Sequence, residues 1–134
     1  MLKLQTSLEG KRARYGDIQE LFSKDGYELG GNWDFEKGSF DSVLNREEGE
    51  TIYLRIPFAV EEGRLDDHAA TIAFQTPYLI KHVVNVGLDH DESSLLTATF
   101  NQFQEPVDPD GQIHDKTKWA EIGEQAVEQL SNYL

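Results

Sequence analysis

The sequence predicts a two-layer α+β domain of the order β-α-β4-α, in which an antiparallel sheet packs one face against two helices. Two observations predict this class. Several central stretches alternate apolar and polar residues, which is typical of strands with one buried face. Two other stretches, at residues 14–26 and 116–134, repeat apolar residues at helical spacing. Since helices cover the apolar face of such a sheet, the patterns together predict one domain over residues 1–134.

The amino-terminal part predicts a strand followed by a helix. Residues 2–9 alternate weakly and predict the first strand. The helix is predicted over residues 14–26, where Ile18 and Phe22 share one face. Gly26 stands where a glycine commonly ends a helix.

The second strand is predicted over residues 33–40. Trp33 and Phe35 alternate with acidic residues, as a strand requires, but Phe40 lies on the opposite parity. A bulge near Gly38 would return all three aromatic rings to one face of the sheet.

Residues 51–60 carry the clearest strand pattern, after a polar hairpin connection at residues 45–50. Every second residue is apolar, which predicts a face packed against helices. Pro57 lies on the other face and cannot donate a ladder hydrogen bond, so it predicts an edge position or a bulge. The predicted core-facing residues are Ile52, Leu54, Ile56, Phe58 and Val60.

The same alternation predicts strands at residues 69–77 and 95–103. The run 78–86 is apolar but its period is ambiguous. It predicts either a strand continued past a bend at Pro77 or a short helix. Residues 87–94 hold one histidine among consecutive acids, and consecutive side chains diverge, so a polar turn is predicted there rather than a metal site.

The last predicted helix covers residues 116–134. Asp115 or Thr117 can cap its amino end, and acidic residues lie off its apolar stripe. The stripe consists of Trp119, Ile122, Ala126, Val127, Leu130, Tyr133 and Leu134.

Composition and charge exclude several functional classes. The chain has 12 basic and 25 acidic residues, a formal net charge of −13, whereas nucleic-acid-binding proteins normally carry a basic patch. The one basic cluster, Lys11, Arg12 and Arg14, is expected near turns 45–50 and 87–94, where it would offset their acids. No apolar run approaches the ~20 residues that span a bilayer. The absence of cysteine and of an apolar signal core predicts a cytosolic protein.

Several segments carry a resemblance to a known family. The sequence has Gly30-Gly31, then Trp33-Asp34-Phe35, then Phe40-Asp41, followed by "IYLRIPFAV" and "TPYLIKH". Through these segments the chain resembles the YugN-like family of small bacillus-type proteins. The resemblance extends over nearly the whole chain. The resemblance implies a TBP-like fold and a bacterial cytosolic protein. It carries over no catalytic or ligand residue, and a fold shared with a DNA-binding protein does not imply DNA binding.

The sheet face opposite the helices is the first candidate site. It is predicted to mix aromatic, arginine and small polar side chains, a composition that suits an interface. An ordinary exposed face, with residues chosen for strand propensity, is the alternative. The candidate ligand or interface residues are Tyr53, Arg55, Gln75, Asn101 and Phe103.

A divalent metal site is the second candidate. In a meander, turn 61–68 and loop 104–115 would share one end of the sheet, so their acids and histidines could gather there. The alternative to a metal site is a solvated acidic loop. An EF-hand is excluded because its first and last ligand positions would fall on Pro106 and Thr117. The candidate ligands are Asp67, His68, Asp108, Asp110 and His114.

The sequence favours a non-enzymatic interaction or structural protein, forming a homodimer through the open sheet face. No nucleophile, phosphate-loop or dinucleotide motif is present, so no cofactor is expected. The alternative is a small-molecule binding module that uses the open sheet face or the cavity between sheet and helices. The third interpretation is a metal-dependent enzyme at the end formed by 61–68 and 104–115.

Overall fold

A computed structural model describes residues 1–83 and 112–134 of the chain. In this part, seven strands form one antiparallel sheet, and two helices pack on one of its faces, which confirms the α+β class. The strands are β1 (Leu2–Lys3), β2 (Arg12–Arg14), β3 (Glu28–Leu29), β4 (Lys37–Glu47), β5 (Glu50–Glu62), β6 (Thr71–Phe74) and β7 (Tyr78–Val83). The helices are α1 (Tyr15–Lys24) and α2 (Lys116–Ser131).

The hairpin of β4 and β5 is the centre of the sheet. The predicted alternation in β5 is confirmed, because its even-numbered residues from Ile52 to Phe58 are buried. The tight turn between the strands has positive φ at Glu48 and Gly49. The bulge falls between Val43 and Asn45 rather than near Gly38.

Strands β6 and β7 both pair with β5, so they are two halves of one long strand interrupted at residues 75–77. The run after Pro77 therefore continues as a strand, which decides between the two predictions for residues 78–83. Pro57 lies in the interior of the sheet and faces this interruption, where its carbonyl accepts a hydrogen bond from the Gln75 amide at 2.9 Å. A missing N–H is tolerated there because the neighbouring strand is broken at that point.

The amino-terminal segment differs from the predicted strand over residues 2–9. Only β1 pairs with β7, and β2 then pairs with β6. Between them the chain turns, and Leu4 and Leu8 are buried in the core. The weak alternation reflected burial of these two leucines rather than a continuous strand.

Helix α1 packs Ile18 and Phe22 into the core, as predicted. Its carboxyl end closes with Gly26 at φ 85°. The amides of Gly26 and Tyr27 donate to the carbonyls of Ser23 and Phe22 at 3.2 and 3.0 Å. This pair of bonds is a Schellman motif, so Gly26 ends the helix in the predicted way.

Residues 30–36 form a turn instead of the predicted start of a strand. Trp33 and Phe35 are consequently exposed rather than part of the apolar face. Phe40 is buried against Phe22 and Phe58, with ring centroids 5.2 Å away in each case.

Helix α2 lies on the same sheet face as α1. A Cβ at Gly123 would come within 2.8 Å of Leu4 and 3.2 Å of Leu79, so the helix backbone approaches that face closely. Asp115 occupies the N-cap position but makes no side-chain capping bond. No described helix is both long and apolar enough to cross a membrane.

Some predictions fall outside the described residues. These are the turn at 87–94, the strand at 95–103 with Asn101 and Phe103, and the loop residues Asp108 and Asp110.

Candidate interaction surface

The outer face is the side of the sheet opposite the two described helices, and its centre consists of two rows of side chains across β4, β5 and β7. One row is apolar and aromatic, with Tyr53 directly between Val43 and Ile80. These three side chains are partly exposed, Val43 the most. Predicted residue Tyr53 therefore lies in the middle of this row.

The second row is polar and lies beside the first. Arg55 stands between Asp41 on β4 and Tyr78 on β7. Its guanidinium donates from Nε and one terminal nitrogen to the two Asp41 carboxylate oxygens, at 2.9 and 3.1 Å. The hydrogen bond to Asp41, followed by interactions with Tyr78, raises the pKa of Arg55 against the opposing effect of burial. A bidentate pair of this kind holds the arginine in one orientation.

Gly30 allows the chain to pass close to this polar row. A Cβ at Gly30 would lie 3.0 Å from Asp41 Oδ2 and 3.2 Å from Ser39 Oγ. The Gly30 amide also donates to the Ser39 carbonyl at 2.9 Å. A larger residue at Gly30 would therefore displace Asp41.

An open cleft of about 640 Å³ adjoins the outer face beside β3. Tyr53 and Asp41 line it together with Gly31. Asp25 and Glu28 add two further carboxylates. The cleft therefore has the size of a small-molecule site, with a mixed polar and apolar lining that includes three carboxylates.

Gln75 lies apart from the two rows, at the interruption between β6 and β7. Its side chain is exposed, and its backbone amide donates to the Pro57 carbonyl. The candidate set therefore does not form one compact site among its described members.

The metal candidates do not come together among the described residues. Lys81 Nζ lies 3.2 Å from the Gln112 carbonyl and 3.1 Å from a Glu50 carboxylate oxygen, which places the chain just before His114 at the Glu50 end of β5. Asp67 and His68 lie in the turn that follows β5 at its opposite, Glu62 end, where the His68 ring lies 6.3 Å from the Tyr15 ring. Asp67 Oδ1 instead accepts a hydrogen bond from the Ala69 amide at 2.9 Å within its own turn. No group of three or more metal-binding side chains occurs in residues 1–83 and 112–134.

The basic cluster also lies elsewhere than predicted. Strand β2 runs antiparallel to β6, so Arg14 pairs in register with Thr71 near the Glu62 end of the sheet. Arg12 Nε lies 2.7 Å from a Glu61 carboxylate oxygen. The predicted position near turn 45–50 was wrong because β2 runs antiparallel to β4, the strand that leads into that turn.

Sequence reasoning missed four residues of the two rows, namely Asp41, Val43, Tyr78 and Ile80. The alternation in β5 identified Tyr53 and Arg55, but their cross-strand neighbours follow only from the register of the sheet. The available signal was the apolar run after Pro77, once that run is read as a strand.

Comparison with known proteins identifies similar chains. The model of the YugN-like family matches residues 3–134. The chain is 27% identical over 135 residues to the uncharacterized protein YugN of Bacillus subtilis (strain 168), covering 100% of this chain and 98% of that protein. It is 33% identical over 94 residues to the uncharacterized protein YlbA of the same strain, covering 69% and 78% of the two chains.

The fold also occurs in a solved structure. The crystal structure of an uncharacterized conserved protein, YugN from Geobacillus kaustophilus HTA426, matches with a TM-score of 0.59 and 24% identity. The match covers 96% of this chain and 99% of that one. None of these names states an activity, a ligand or a partner.

Proposed function

The chain belongs to the YugN-like family, and from this membership and the geometry of its outer face we propose a non-enzymatic interaction protein that forms a homodimer through that face. The single observation that supports the dimer is the row of Val43, Tyr53 and Ile80, which is partly exposed on a face where no described helix packs. A cytosolic location is part of the proposal, which the absence of cysteine favours.

The two rows have the composition of a protein interface. Interface centres are apolar and rich in tyrosine, and arginine is enriched there. Arg55 already has its carboxylate partner in Asp41, so burying it against a second copy would leave no unpaired charge. A twofold dimer brings the same patch of both copies together, and a row that crosses three strands can stack on its own copy.

Light scattering tests the dimer. The wild type should have the mass of a dimer at high micromolar concentration, and Tyr53→Glu should have the mass of a monomer because it places a charge in the apolar row. Gln125→Glu adds the same charge to an exposed position on α2 and should remain dimeric. A wild-type monomer, or a folded Tyr53→Glu variant that stays dimeric, would exclude this interface.

A second candidate function is small-molecule binding in the cleft beside β3. The specific observation that favours it is the cleft volume of about 640 Å³, since ligand sites commonly measure ~300–1,000 Å³. The carboxylates of Asp25 and Glu28 would favour a small cationic ligand, whereas Asp41 is already paired with Arg55. Because Tyr53 and Asp41 belong to both the cleft and the outer face, such a ligand would compete with or modify dimerisation.

A further inference from the structure

The turn between β3 and β4 presents two aromatic rings on the surface. Trp33 is 41% exposed and Phe35 is 43% exposed. Their ring centroids lie 6.0 Å apart in an edge-to-face arrangement. We name these two residues together with Arg64 the aromatic corner, and it lies at the end of the sheet, away from the two rows of the outer face.

The rings are held in place by the hydrogen bonds of the turn. Asp34 Oδ1 accepts from the amides of Glu36 and Lys37 at 2.8 and 2.9 Å. The Phe35 carbonyl accepts from the Leu65 amide at 3.2 Å. A preorganised loop loses little conformational entropy when a partner binds, so exposed rings on such a loop suit recognition.

A cation already contacts this cluster. The Arg64 guanidinium carbon lies 4.2 Å from the centre of the Phe35 ring, a cation–π distance. Arg64 forms no ion pair with any residue in the described part of the chain. The contact of Arg64 with Phe35 therefore indicates that the rings of the aromatic corner attract cationic side chains.

The surroundings of the corner are negatively charged. The hydrogen bonds from residues 60 and 65 to the turn bring residues 30–37 and 61–68 to the same end of the sheet. These segments carry two basic residues, Lys37 and Arg64, against six acids, of which Glu61 is paired with Arg12 from β2. The acids are Asp34, Glu36, Glu61, Glu62, Asp66 and Asp67.

We propose that the aromatic corner docks a positively charged segment of a partner protein, with Trp33 as the apolar anchor. Tryptophan and arginine dominate the binding energy of protein interfaces, and the local carboxylates complement a basic segment. A twofold contact with a second copy is disfavoured at this corner, because it would bring the same cluster of acids from both copies together. An arginine of the partner takes the position over Phe35 that Arg64 now occupies.

Calorimetric titration of the full chain with a short synthetic peptide of alternating arginine and leucine tests the proposal. Trp33→Ala should weaken binding about tenfold or more, as expected for an anchor residue, although it changes no charge. Trp33→Phe should retain most of the affinity. Tyr133→Ala removes another exposed aromatic ring, 47% exposed, and should leave binding unchanged.

Arg64→Ala separates this proposal from a purely structural role of the corner. Removing Arg64 frees the Phe35 face, so the basic peptide should bind as tightly or more tightly. Weaker peptide binding by Arg64→Ala would overturn the proposal. Equal peptide binding by the wild type and Trp33→Ala would also overturn it, because the net charge alone would then attract the peptide. Preference for a matched peptide with glutamate in place of arginine would also overturn it. Loss of self-association in Trp33→Ala would assign the corner to a second copy instead.

Discussion

At the scale of single residues, two glycines of the β3–β4 region have different surroundings. A Cβ at Gly38 would lie 2.8 Å from the Phe58 ring and 3.3 Å from the side chains of Leu29 and Leu65. A Cβ at Gly31 would meet no atom within 4 Å. Neither glycine has the positive φ that disfavours other residues. Their tolerance to a methyl group therefore depends on packing alone.

We expect Gly38→Ala to destabilise the protein by ~1–3 kcal/mol, because extra volume in a packed core forces neighbouring side chains to shift. Gly31→Ala adds the same methyl group in open space and should leave stability nearly unchanged. Urea denaturation of both variants measures the difference. Equal midpoints for the two would show that the Phe58 ring moves freely and that the core is looser here than its packing indicates.

At the scale of elements, helix α2 is attached to the amino-terminal segment by a polar cluster. The Ser7 backbone amide donates to Glu128 Oε1 at 3.0 Å. The Ser7 hydroxyl also donates to this carboxylate, with its oxygen 3.0 Å from Oε1 and 2.9 Å from Oε2. Lys11 Nζ donates to Ser131 Oγ at 2.8 Å. These bonds lie between the helix and a segment that has only two short strands of its own, so they help to fix both.

The hydrogen bonds from Ser7, backbone first, lower the pKa of Glu128 below its ordinary value of 4.5. A carboxyl group with a lowered pKa in the folded state stabilises the protein above its unfolded pKa, and this contribution is lost as the pH falls through the folded pKa. Ser7→Ala should therefore have a lower free energy of unfolding than the wild type at neutral pH. The difference in this free energy between the two proteins should narrow below about pH 4.5.

Urea midpoints at several pH values measure this narrowing. Ser23→Ala is the control, since Ser23 donates to the Glu20 carbonyl and not to a carboxylate, so its effect should not depend on pH in this range. A Ser7→Ala difference that stays constant into acid would show that the Ser7 hydroxyl does not stabilise the charged form of Glu128, since the variant keeps the backbone bond.

At the scale of the whole molecule, the charge distribution predicts repulsion of polyanions. The formal net charge is −13. Among residues 1–83 and 112–134, three cations already face carboxylates, in the pairs Arg12–Glu61, Arg55–Asp41 and Lys81–Glu50. A polyanion would have to approach a surface of its own sign.

We expect no useful affinity for DNA or RNA. Gel-shift titration at low salt, where electrostatic attraction is strongest, should show free nucleic acid up to micromolar protein. Micromolar binding that weakens steeply as salt is added would contradict this prediction, and Arg12 and Arg14 would then be the first residues to replace.

The candidate surface was predictable only in part. Period-two alternation identified Tyr53 and Arg55 because both positions follow from β5 alone. Asp41 became the partner of Arg55 through the pairing of β4 with β5. Trp33 was predicted in a strand because alternation is a local signal, whereas its exposure follows from the turn bonds of Asp34 and from the contact of that turn with residues 60–65.

The sequence by itself determined the α+β class, the core face of β5, the positions of both helices and the glycine that ends the first. These features depend on the spacing of apolar residues along one segment, which local geometry converts directly into faces. Only the tertiary structure decided which strands pair, where the sheet bulges, and that His114 and Asp67 lie at opposite ends. Those outcomes depend on contacts between residues distant in the chain, and a pattern within one segment does not specify its neighbour or its register.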